Sequence, residues 1–202
     1  MTREEDLEAL AAANSWTFSI EDHDDIASIP FQFFRNGVAG VVMDTLEGER
    51  EGRDFVAFDY EWRMLSLGML EAESTFDSSC VLTALAAECP ELMVSHETTS
   101  HWLSHPGHHE VFTSERQDFA RAFRVTTTHP DFAAAVFDEA MEAWLLDAGA
   151  DHDLCYEIAG PWCLVFTRRR EVDEVPTVID AAVAFLRHIP PAAFDGLPVP
   201  AV

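Results

Sequence analysis

Lysine is absent from this chain: all 12 basic residues are arginine, set against 37 aspartates and glutamates, for a formal charge of -25. A surface so poor in cations cannot neutralise a run of phosphates, so direct binding to nucleic acid or to an anionic membrane is not expected. Long apolar runs are missing too, and with them a membrane-spanning helix. The start, Met1-Thr2-Arg3-Glu4-Glu5-Asp6, is acidic where a signal peptide would be basic, and the expected location is the cytoplasm. The four cysteines, Cys80, Cys89, Cys155 and Cys163, show no C-x-x-C spacing and read as buried free thiols. No G-x-S-x-G elbow, Walker loop or G-x-G-x-x-G turn occurs, which removes the common signatures of acyl transfer and nucleotide binding.

What is present is ample material for a core. Of 202 residues, 48% are hydrophobic, with 15 Phe and 5 Trp, enough for one domain or two small ones. Thr2 and Glu5 have capping-box spacing ahead of a short helix carrying Leu7, Leu10 and Ala11. Trp16 to Ile20 alternates as a brief strand. Residues 36–64 read as a hairpin with its turn in Glu47 to Gly52, its second arm aligning Val56, Phe58, Tyr60, Trp62 and Met64 on one face and Asp59, Glu61 and Arg63 on the other. Asp59 is expected to point outward and pair with arginine. Thr75 to Ala87 forms a strand with Cys80, Leu82, Ala84 and Ala86 on one side, and Glu91 to Ser95 a separate strand after Pro90. Thr98 to Ser104 has room for one or two helical turns.

The organising stretch is Phe119 to Leu146. Phe119, Phe123 and Val125 share a strand face, His129-Pro130-Asp131 opens a helix, and Phe132, Val136, Phe137, Ala140, Met141, Trp144 and Leu145 give it one apolar stripe ending at Gly149. Farther on, Leu154 to Ile158 and Trp162 to Phe166 flank Ala159-Gly160-Pro161 as a second hairpin, which would set Cys155 opposite Cys163. Arg168, Arg169 and Arg170 are expected to pair with surface acids. Asp173 caps a last helix with Val175, Ile179, Ala182, Val183 and Leu186 inward, stopped by Pro190. The expected fold is thus α+β: one domain over residues 1–189, an antiparallel sheet packed against two long helices (131–148 and 174–189) plus a short N-terminal helix, and a mobile Pro-containing tail over 190–202.

Candidate chemistry concentrates in segment 96–110, where His96, His101, His105, His108 and His109 fall within fourteen residues beside Glu97 and Glu110. His96 and His101 lie five apart, about 140° around a helix, and are poorly placed to share a metal on one face. Glu97, His101 and His105 are spaced by fours and are the candidate zinc ligands, although Pro106 disfavours helix at His105. Ser78 and Ser79 have no base partner nearby in sequence and read as strand residues.

Three segments carry a resemblance: Phe58-Asp59-Tyr60 after the hairpin turn, Phe119 to Val125 with Met141 to Leu146, and the last hairpin and helix. Together, over most of residues 10–189, they resemble a group of uncharacterised actinobacterial proteins. The middle and last segments are distantly similar to the C-terminal part of a bacterial family of unknown function whose members carry membrane segments. The resemblance implies a fold and no activity. The functional expectation is a cytoplasmic, non-enzymatic binding or accessory protein with a protein partner. A metal-dependent hydrolase using the histidine-rich segment and an acidic inhibitor of a nucleic-acid-binding protein are the alternatives.

Overall fold

The computed structural model describes residues 2–20, 23–35, 38–65, 73–97, 109–148 and 153–200. In chain order its elements are α1 (Arg3–Asn14), β1 (Thr17–Ser19), α2 (Asp24–Ala27), β2 (Val38–Arg50), β3 (Arg53–Leu65), β4 (Glu73–His96), β5 (Glu110–Phe112), α3 (Gln117–Ala122), β6 (Phe123–Thr127), α4 (Pro130–Val136), α5 (Glu139–Ala148), β7 (Cys155–Arg168) and α6 (Val175–His188). Short 3-10 turns lie at Phe33–Arg35, Val172–Glu174 and Pro191–Phe194.

The strands make one antiparallel sheet in the order β1-β2-β3-β4-β6-β5, and β7 joins it along β4. The 24-residue β4 is the spine. Its first half pairs with β3, its last residues with β6, and β7 runs beside both parts, from Ser78↔Arg168 to Ser95↔Cys155. Glu51 and Gly52, both at positive φ (51° and 77°), close the β2–β3 hairpin in two residues, so the strands run through positions 47–50 that the sequence assigns to the turn.

Layers cover the sheet on both sides. On one face α1, α3, α4, α5 and α6 bury Leu7, Phe119, Phe132, Met141, Ile179 and Phe185 against Phe55, Val81, Leu92, Ile158 and Val165. On the other, a thin cover from Ile26 to Phe34 presses Phe31 and Phe33 onto Phe58, Tyr60, Trp62, Leu82 and Phe166, with the Phe33 and Phe166 rings stacked at 4.1 Å.

Several expectations need correction. The helix of 131–148 is two helices, because Phe137 leaves helical geometry (φ -94°, ψ 67°) and the Asp138 carboxylate accepts from Met141 N at 2.8 Å, acting as a new N-cap. The strand expected from Phe119 begins only at Phe123, and Phe119 belongs to α3. A separation of four places two residues on one side under either period, so this pair of phenylalanines could not distinguish strand from helix. Their rings stack at 5.1 Å.

The second hairpin does not form. Residues 155–168 make one strand, with Gly160 at φ 57° and a register irregularity opposite Cys89. Two residues flanked by bulge geometry change which side chains face which layer: Cys155 and Ala159 share a layer with Leu164 and Phe166, an odd-to-even switch that a regular strand forbids. β4 makes the same switch around Pro90, so the expected break there is a bend within one strand. Cys155 and Cys163 lie on this one strand opposite Ser95 and Thr83, and all four cysteines are buried and outside any disulfide.

At the chain's end, a capping box of Glu171 and Glu174 brackets the turn before α6, in place of a cap at Asp173. The segment after Pro190 is seated: Ala193 is buried, Phe194 and Leu197 pack on the helix-side core, and Glu88 N donates to Pro198 O at 2.8 Å. The capping box at Thr2 and Glu5 and the inward stripe of α6 are as expected.

Candidate functional site

Of the proposed zinc ligands, Glu97 stands exposed after β4, its N–H donating to Ala122 O at 2.9 Å, while His101 and His105 lie outside the described residues. Among the described residues no three His, Cys, Asp or Glu side chains gather in a way that could hold a metal ion. Of the other histidines in that segment, His96 sets its ring edge-on to Phe123, and His109 is buried.

Asp59 departs from its expected place. It is 4% exposed and faces the helix layer, where the capped start of α1 delivers Arg3 to it. Arg3 Nε and Nη2 donate to its two oxygens at 2.6 and 2.9 Å, Arg169 Nε donates at 3.0 Å, and Ser79 Oγ at 3.1 Å. Arg3 also donates to the Arg170 carbonyl, and Arg170 N donates to Ser79 Oγ. The pairing with the arginine run therefore holds, but inside the protein. Burial, with the Asp59 charge adding to it, pushes the Asp44 carboxyl up from its ordinary value, and Arg169 opposes both from 3.7 Å. The space left around Asp59 is about 10 Å³, room for a single water molecule at most, so this network is a clamp and not a ligand site.

A second polar cluster sits under the opposite cover. Glu157 accepts from Gln32 N at 2.5 Å and Phe33 N at 3.1 Å. Burial pushes its carboxyl up to about 8, against the pull of those two N–H groups and Arg35, with the Glu91 charge reinforcing the rise. His109 Nε2 lies 2.9 Å from Glu91 Oε2 and 2.8 Å from Gln32 Nε2. The cluster fastens the cover segment to β7 and to the lead into β5. Sequence reading missed it, although a glutamate inside the apolar run from Leu154 to Ile158 was a usable signal.

Nucleophilic chemistry is disfavoured at the cysteines: burial raises the Cys80 and Cys163 thiols far above the ordinary range and lifts Cys89 to about 11. Ser79 is spent on Asp59.

Open space lies elsewhere. A groove of about 550 Å³ crosses the sheet near the β2–β3 turn, lined by β1, β2, β3, β4 and β7 residues that include Glu47, Asp54, Val56, Leu82, Ala84 and Trp162. Strand pairing sets Thr17, Glu47, Val56 and Leu82 in one transverse row. The cover that buries Phe58 and Tyr60 does not reach this end, and Ala84 is exposed. From the other face Trp16 supports the floor, edge-on to Phe55 at 5.1 Å. A second groove, about 850 Å³, lies between β5 and helices α4 and α5, with Arg116, Glu115, Glu139 and Glu142 in its walls. Its one arginine is committed to Asp118 at 2.8 Å.

No protein-family model matches the sequence, and no curated protein matches it. Among solved structures, the fold is similar to the mycobacterial trehalose monomycolate transport factor A, TtfA, with a TM-score of 0.66 over 98% of each chain at 13% identity. That likeness establishes a shared α+β architecture from end to end. No helix among the described residues is long and apolar enough to cross a membrane.

Proposed function

We propose that this protein is a cytoplasmic, non-enzymatic accessory protein that works by holding a protein partner. The observation that carries the reading is the division of labour among its polar groups. Asp59, Ser79 and Glu157 are consumed by internal contacts and the thiols are buried, whereas the accessible concavity over the sheet offers an apolar floor and, among the described residues, no assembled nucleophile or acid-base pair. Residues that hold a fold together and a surface that takes up another molecule describe a binding protein. A neighbour of the same fold over its whole length, named as a transport factor, supports an accessory role.

The test is crosslinking of the tagged protein in its native cells followed by identification of the crosslinked chains. A stoichiometric partner that co-purifies and forms a defined complex with the isolated protein is the expected result. Turnover of small substrates by the purified protein, with no stable partner, would replace the reading with an enzymatic one.

A further inference from the structure

The groove near the β2–β3 turn has a chemistry that narrows what fits it. Its floor is apolar, from Val56, Leu82, Ala84 and Trp162, and the charged side chains among its lining residues, Glu47 and Asp54, are both acidic. Glu49 pairs with Asp54 across the hairpin and, two residues from Glu47, alternates onto the same face. The Glu88 carboxylate lies beside Gly160, two residues before Trp162. Two nearby cations are occupied elsewhere, Arg50 by Asp180 and Arg187 by Glu51.

Shape adds a second constraint. The lining runs from Thr17 through Glu47 and Val56 to Leu82, and beside Leu82 the exposed Ala84 pairs with Trp162 on β7, so the groove crosses five strands. At about 4.8 Å per strand spacing the path is roughly 19 Å long. An extended chain covers that distance in about six residues. We infer that this groove receives an extended, basic segment of a protein partner, about six residues long, with arginine or lysine side chains set against Glu47 and Asp54 and apolar side chains on Val56, Leu82 and Trp162. The inference rests on the partner-binding reading above and assigns the surface and the partner's chemistry. A second copy of this chain does not fit, since its charge of -25 would bring acid to acid.

The probe is a fluorescein-labelled ten-residue peptide alternating arginine with leucine and tryptophan, beside a version with glutamate for arginine. Binding is followed by anisotropy at physiological salt and by amide chemical-shift mapping on the full chain. The expected result is binding of the arginine peptide alone, with shifts gathered at 47–49, 54–56, 82–84 and 160–163. The double variant Glu47→Lys with Asp54→Lys should weaken binding at least tenfold. A matched pair at exposed acids away from the groove, Glu8→Lys with Asp195→Lys, should weaken it less than twofold. Equal losses from both pairs would mean diffuse charge attraction and would overturn the inference, as would shifts gathered elsewhere, no binding, or concentration-dependent shifts of the same residues without peptide, which would mean self-association. A crosslinked native partner that binds the Glu47→Lys, Asp54→Lys protein undiminished removes the groove assignment and leaves the accessory reading standing. Absence of any partner removes the accessory reading itself.

Discussion

Two carboxylates are buried in this sheet, one toward each layer, and they are held by opposite means. Asp59, on the helix side, meets two guanidinium groups and a hydroxyl. Glu157, under the thin cover, meets two backbone N–H groups and no cation within ion-pair distance among the described residues. Charge neutralised in place makes Asp59 a fixed joint between α1, β3 and the end of β7. Charge left to backbone dipoles makes Glu157 a joint whose strength depends on whether it is ionised at all. The comparison teaches that burial alone does not decide what an acid does, because the available partners do.

Removing the stronger joint should show the larger effect. Asp59→Ala leaves Arg3 with only the Arg170 carbonyl and Arg169 with only the more distant Asp44, and is expected to lower stability by about 3 kcal/mol, measured by denaturant unfolding. A loss under about 1 kcal/mol would mean the clamp is decorative and would dissolve the contrast with Glu157. Arg3→Ala is the sharper probe. It deletes three donor contacts but leaves Arg169 and Ser79 on the carboxylate, so a loss of about 2 kcal/mol is expected. Combined with Asp59→Ala, the two losses should fall well short of adding, since both act on one network.

The parts legible in sequence are those fixed by local rules. Thr2 and Glu5 form the capping box their spacing announces, and the α6 stripe lies inward residue for residue. The hidden parts depend on partners far along the chain. Asp59 reads as an outward carboxylate because strand alternation places it opposite Phe58 and Tyr60, yet that second face is roofed by helices, and one of its two cations comes from position 3. Ala159-Gly160-Pro161 has the residues of a turn, but continuous pairing with the long β4 holds it as a bulge. Split helices at Phe137 came from a carboxylate, Asp138, whose capping role an unbroken apolar stripe concealed. The groove was half visible: Leu82 and Ala84 were assigned to one face, but that the cover reaches Leu82 and stops short of Ala84 is a tertiary fact.

The smallest effect bears most directly on the contrast. Glu157 has its pKa raised from 4.5 to about 8 in the fold, so the folded chain keeps a proton that the unfolded chain gives up between those values. Stability from this group is therefore fully present below about pH 4.5 and declines as pH rises through about 8, the reverse of a salt-bridged acid. Glu157→Gln keeps the shape and cannot ionise. At pH 5 the variant should be less stable by about 1 kcal/mol, because its amide offers one acceptor where Gln32 N and Phe33 N each now find one. Between pH 5 and pH 8 the difference from the parent should shrink, pass through zero and change sign, since only the parent meets the growing cost of a buried charge. Thermal melts of both proteins across that range measure it. A difference that stays constant or widens instead would mean the two N–H groups and Arg35 hold Glu157 ionised, and the two buried acids would then be alike.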